Sequence, residues 1–167
     1  MAPFAPLIGE ITSPRTTRPA YCPPSPVTHN SGNRHHHRPS DQTGAVLLID
    51  AANVVGSRPT GWWRDRAGAA RAFVDQIRTA VGSGRIAQPV TVVLEGKARE
   101  GSQGGFADGV MVLLAGGSGD ETLLDAVANA PDHPVLLVTA DRELRRRAEA
   151  LGAEVIGPAW LLALLEH

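Results

Sequence analysis

The sequence predicts an α/β protein, an open parallel sheet of about five strands with helices on both faces. Two observations carry that prediction. Short, continuously apolar runs recur along the chain without polar alternation, as strands buried on both faces require. Between them lie apolar stripes at helical spacing. Strands that alternate with helices imply crossover units and a parallel sheet.

The elements follow in order. Residues 45–50 (AVLLID) read as the first strand. Ala70, Phe73, Val74, Ile77 and Val81 form one stripe of a helix from about Arg64 to Val81. The second strand is 89–95 (PVTVVLE) and the third 109–115 (GVMVLLA), with a Gly-rich link over 96–108 that is expected to be mobile. Leu123, Leu124 and Val127 mark a second helix, and residues 134–139 (PVLLVT) a fourth strand. Leu144, Ala148 and Leu151 mark a third helix, and residues 153–156 a weaker fifth strand. Pro158 suits the first turn of a last helix that runs to Leu165.

Composition bounds what this fold can be used for. The chain has 167 residues, 43% hydrophobic and 20% charged, with a net charge of −1. That length suits one domain. Residues 1–43 hold 8 of the 13 prolines and four of the six histidines, with no periodic apolar pattern. They are expected to form a disordered tail, leaving 44–167 as the folded domain. His35, His36 and His37 can catch a metal adventitiously, but a solvated tail is the plainer reading. Pro3 and Pro6 break the start and no apolar core follows, so no secretory signal is read. No run approaches the roughly 18 to 20 apolar residues of a membrane span, and the expected location is the cytoplasm. The lone Cys22 excludes a disulfide framework or a multi-cysteine zinc site. Residues 44–167 carry 15 acidic against 12 basic side chains, which argues against binding nucleic acid by bulk positive charge.

In open parallel sheets ligands bind beyond the carboxyl ends of the strands. Acids gather there. The first strand ends in Asp50, followed by Asn53 in DAANVVG; the second ends in Glu95. The third runs out through GGSGDETLLD to Asp120, Glu121 and Asp125, and the fourth ends in Thr139-Ala140-Asp141. Two carboxylates about 4 Å apart repel by roughly 4 kcal/mol at an effective dielectric near 20. No Lys or Arg is interleaved at these strand ends, so a hard divalent cation, Mg²⁺ or Mn²⁺, is the expected counter-charge. Such ions activate water and stabilise the leaving oxygen of a phosphodiester.

Each acid also has a plainer role open to it. Ser118 and Glu121 form a capping-box pattern, Asp120 favours a helix N-terminus, and Asp141 suits an N-cap. Asp125 lies about 40° from Glu121 on a helix and shares its face; Asp120, on another face, reaches the site only from the loop. Gly116, Gly117 and Gly119 suggest a phosphate loop, but the acids that follow repel phosphate unless a metal intervenes. No Walker, dinucleotide-binding or nucleophile-elbow motif is present. Arg142 and Arg146 share a helix face beside Asp141, and Arg64 follows Trp62-Trp63. Phosphates suit these arginines and a base suits an exposed Trp; a solvated helix face, with Glu143 and Glu149 as partners, and a hydrophobic lid are the alternatives.

The segments LLIDAANVVG, GDETLLD and VTADRELRRRAEALGAEVIGP resemble the NYN branch of the PIN-like nucleases, especially its YacP-like members, over about residues 45–160. The resemblance implies a metal-dependent ribonuclease. Its catalytic residues would be Asp50, Asn53, Asp120, Glu121, Asp125 and Asp141, with Asp50, Asp120, Glu121 and Asp141 as ligands of Mg²⁺ or Mn²⁺. Arg64, Arg142 and Arg146 would hold RNA, ribosome-associated or otherwise structured. The family often has DGYN or DGxN where this chain has DAAN, and Asp where it has Glu95. The same carboxylate chemistry would serve a nucleotide or nucleoside triphosphate pyrophosphohydrolase, and a catalytically weak RNA-binding module would keep the arginines alone.

Overall fold

The computed structural model describes residues 44–130 and 132–166. The tail expected over 1–43 lies outside the described residues. The elements are β1 (Val46–Asp50), α1 (Ala51–Gly56), a 3₁₀ turn (Trp62–Arg64), α2 (Arg66–Gly82), β2 (Val90–Leu94), a second 3₁₀ segment (Gly96–Gly101), β3 (Gly105–Ala107), β4 (Val110–Leu114), α3 (Gly119–Ala128), β5 (Val135–Val138), α4 (Arg142–Ala150), β6 (Glu154–Ile156) and α5 (Pro158–Glu166).

The sheet has six strands in the order β3-β4-β2-β1-β5-β6. Every pairing is parallel except that of β3 with β4. Alternate side chains divide between the faces. Leu47, Ile49, Leu136 and Val138 join Phe73, Val74, Ile77 and Leu161 on the face of α1, α2 and α5. Leu48, Val93 and Leu137 join Leu123, Leu144 and Ala148 on the face of α3 and α4. Both faces are covered, and the strands accordingly lack polar alternation.

The open, mostly parallel sheet with helices on both faces is as expected, with one strand more than the five read from the sequence. The added strand lies in the Gly-rich link read as mobile. Residues 96–108 hold a 3₁₀ segment and the antiparallel edge strand β3. Gly101 is buried against α2, where a Cβ would collide with the carbonyl oxygen of Ala67. Here glycine permits close approach. Asp108 and Gly109 both have positive φ, 52° and 78°, and form the two-residue turn that an Asp-Gly pair favours between antiparallel strands.

Two helix readings also change. The helix expected from Arg64 starts at Arg66, because Asp65 caps it by accepting from the Gly68 N–H at 2.7 Å. Leu151, expected on the apolar stripe of the third helix, is the C-cap of α4 and is 50% exposed.

The strand order reverses at β1. Its neighbours are β2 and β5: the chain builds outward first on one side, through β2 to β4 and the edge strand β3, and then on the other, through β5 to β6. The carboxyl end of β1 therefore opens at the switch point where open parallel sheets place their ligands.

Candidate active site

Asp50 is the last residue of β1 and, with 5% exposure, one of the buried polar residues. Its Oδ1 accepts from the backbone N–H of Asn53 at 3.1 Å, capping α1. Its Oδ2 accepts from Asn53 Nδ2 at 2.6 Å and from the hydroxyl of Thr139 at 2.8 Å. Burial pushes the Asp50 carboxyl above its ordinary range, these three donors oppose the shift, and the charge of Glu95 adds to it. Sequence patterning could not show that α1 begins at Asp50, because a six-residue helix is too short to display a stripe.

Thr139 links two strand ends. Fully buried after β5, its Oγ1 donates to Asp50 and accepts from the Asp141 N–H at 3.1 Å. Asp141 is the N-cap of α4, its Oδ1 accepting from the Leu144 N–H at 2.8 Å. Thr139 was not among the sequence-derived site residues, although the Thr-x-Asp pattern pointed at it.

Glu95, just beyond β2, was recognised as a strand-end acid but left out of the predicted site. Its Oε2 accepts from the Gly119 N–H at 2.8 Å, at the first residue of α3. A Cβ on Gly119 would lie 2.6 Å from that oxygen, so the contact needs glycine. The capping box expected between Ser118 and Glu121 is absent, since Ser118 makes no side-chain cap bond. A carboxylate from another strand instead meets the positive helix end, and the N–H that a phosphate loop would present is already taken.

Asp120 joins these acids from α3 itself, where a loop position had been expected. Its carboxyl is raised first by partial burial, then by the charges of Asp141, Asp50 and Glu95, with Arg147 opposing. Acids from the ends of β1, β2 and β5 thus share one field with the start of α3. Glu121 turns elsewhere and pairs with Arg147 at 2.9 Å. Asp125 is exposed on α3.

The arginines divide likewise. Arg146 is engaged with Glu143 at 2.6 Å, and Arg145 lies 3.9 Å from Glu149. Arg142 is exposed at the first residue of α4 and makes no ion pair among the described residues. Arg64 is exposed in the first 3₁₀ turn. The Arg66 guanidinium lies over the Trp62 ring, 5.5 Å from its centroid, and Trp62 meets Trp63 edge-on.

The donor chemistry fits a hard cation. Oxygen donors from several strand ends repel one another, and Arg147, itself paired with Glu121, only partly offsets their field at Asp120. Among the described residues no three acids, histidines or cysteines close on one point as a cage. Mg²⁺ ordinarily takes only one or two carboxylates and keeps waters or substrate phosphates as its other ligands. One or two of Asp50, Asp120 and Asp141 would hold such an ion, with water or substrate phosphate as its other ligands.

No family model matches the chain, and no curated protein matches its sequence. Solved structures do. The crystal structure of Rae1 (YacP) from Bacillus subtilis matches with a TM-score of 0.54 and 20% identity, over 72% of this chain and 73% of that one. A point mutant of the same protein matches with a TM-score of 0.55 and 19% identity, over 73% of this chain and 75% of that one. The chain has the fold of a YacP protein, the group that its strand-end motifs resemble.

Proposed function

We propose that this chain is a nuclease that hydrolyses RNA phosphodiesters with Mg²⁺ or Mn²⁺. One observation carries the reading: acids from the ends of β1, β2 and β5 and the start of α3 gather at the switch point. Thr139 joins Asp50 and Asp141, and Asp120 is raised first by burial and then by the charges of Asp141, Asp50 and Glu95. A fold that gathers several acids at its switch point, with Arg147 as the one cation that offsets the field at Asp120, has built a place for further positive charge. A hard divalent cation, when bound, supplies the counter-charge and the activation of water that phosphodiester hydrolysis needs.

The chain's own groups do the rest. Asn53 and Thr139 fix both oxygens of Asp50, so its orientation requires no rearrangement when substrate arrives. Asp120, partly exposed beside these acids, would share in holding the ion. Arg142, beside Asp141 and without an acid partner, is placed to hold a backbone phosphate. Arg146 must first give up Glu143.

The test is hydrolysis of single-stranded RNA by the full chain with Mg²⁺, with Mn²⁺ and with chelator, beside hydrolysis of nucleoside triphosphates. RNA cleavage that needs the metal is the expected result. Triphosphate hydrolysis without RNA cleavage would reassign the site to small phosphoanhydrides, and RNA binding without either would leave a binding module.

A further inference from the structure

Next to the acids the fold leaves a cavity of about 130 Å³. Small apolar side chains line it, Ala51, Ala70 and Ala98 among them, together with Trp62, Arg66 and Glu95. A closed cavity of about 150 Å³ takes one benzene ring. This pocket is slightly smaller but opens to solvent on one side, so a single planar ring can enter it edge first with its far edge exposed. One side offers an indole with a guanidinium against its face. Glu95 commits Oε2 to the Gly119 N–H, while Oε1 has no hydrogen-bond partner among the described residues. Arg66 makes no ion pair among the described residues and remains available to a phosphate.

We propose that this cavity takes one unstacked base of a single-stranded RNA and prefers a base that carries an exocyclic amino group, such as cytosine, over uracil. The inference rests on the nuclease reading, because Glu95 belongs both to the cavity wall and to the acids that raise Asp120. A base held there brings its own backbone beside those acids. Single-stranded RNA fits because its bases splay out and stack on aromatic rings or guanidinium planes, whereas duplex bases are not free to enter. Oε1 is an acceptor, and a carboxylate acceptor matches the N4 amino group of cytosine and repels the O4 oxygen of uracil. Glu95 is then the residue that sets base preference.

The experiment measures binding of fluorescein-labelled C6 and U6 RNA hexamers with phosphorothioate linkages to the full chain in Mg²⁺, where the ion screens the acids from the backbone and the modified linkage slows hydrolysis. The wild type is expected to bind C6 about tenfold more tightly, equivalent to about 1.4 kcal/mol. Glu95→Gln leaves its amide oxygen on the Gly119 N–H and turns its NH₂ into the cavity, so the preference should reverse toward U6. Ala52 lines the same cavity and is exposed; Ala52→Leu fills the space with a good helix former and should abolish the preference without lowering the melting temperature. Trp62→Ala should weaken both hexamers about tenfold, and Trp62→Phe should restore most of the loss. Equal binding of C6 and U6 by the wild type, or a preference that neither Glu95→Gln nor Ala52→Leu moves, overturns the assignment. Metal-dependent RNA cleavage with no base preference would remove the cavity and keep the nuclease. Base preference without cleavage would keep the cavity and remove the nuclease.

Discussion

The corner where β1 meets α1 and the corner where β5 meets α4 share a local plan and differ in environment. In each, an aspartate between strand and helix accepts from the N–H three residues on, Asn53 or Leu144. Asp141 stands half-buried at the surface. Asp50 is 5% exposed and needs Asn53 Nδ2 and the Thr139 hydroxyl besides. An N-cap works well at a surface, and burying the carboxylate adds desolvation cost without improving the cap. Capping a helix therefore accounts for the placement of Asp141 but not for the burial of Asp50. Thr139 joins them, donating to one and accepting from the backbone of the other.

Breaking that link should produce the largest stability effect. Thr139→Val keeps the shape of a fully buried side chain but removes a donor from Asp50 and an acceptor from the Asp141 N–H. A cost of about 2 to 3 kcal/mol in urea denaturation is expected, since a hydrogen bond to a charged group is lost and a buried donor is orphaned. Asp141→Ala should cost only about 1 kcal/mol, the ordinary value of a cap. Equal costs would erase the distinction between the corners.

The pH dependence gives a smaller effect with a definite sign. The carboxyl of Asp50 is raised above its ordinary value of 3.8 by burial, so the folded protein binds that proton more tightly than the unfolded chain. Its contribution is fully present below 3.8 and is lost as pH rises through the raised value. In chelator, Asp50→Asn should therefore gain stability relative to wild type as pH climbs above 3.8, then level off once Asp50 is ionised. Asp120, raised for the same first cause but only partly buried, contributes with the same sign. A difference between wild type and Asp50→Asn that is flat across this window would show that the folded state does not raise the Asp50 carboxyl.

Much of this was legible in the sequence because it depends on periods and on residues out of place. Leu47, Leu48 and Ile49 are apolar in succession because both sheet faces are covered, and Asp50 stood out as an acid closing such a run. What the sequence hid depends on contacts across the chain. Glu95 meets Gly119 24 positions away, and no local pattern announces a helix capped from another strand. Gly101 looked like a flexible joint because glycine serves both freedom and close packing, and only the position of Ala67 decides between them. The Asp108-Gly109 turn was readable from its residue pair and went unread because the surrounding glycines suggested a loop. Neighbouring Asp120 and Glu121 separate by the direction of their side chains, one toward the acids and one toward Arg147.

The central claim is that the buried charge of Asp50 is kept for a cation. The most direct measurement is the melting temperature of wild type and Asp50→Asn, each with and without Mn²⁺ at neutral pH, followed by RNA hydrolysis on the same samples. Binding to the folded state at a hundredfold excess over Kd stabilises by about 2.7 kcal/mol. The wild type should show a shift of that order and the variant well under half of it, each measured against the same protein in chelator. The variant needs its own reference because Asp50→Asn also turns an amide NH₂ toward the Asn53 or Thr139 donors and lowers its metal-free melting temperature. Its hydrolysis should fall by about three orders of magnitude, or about 4 kcal/mol of barrier. No Mn²⁺ shift in the wild type, or an equal shift in both proteins, with hydrolysis intact in Asp50→Asn, would contradict the account.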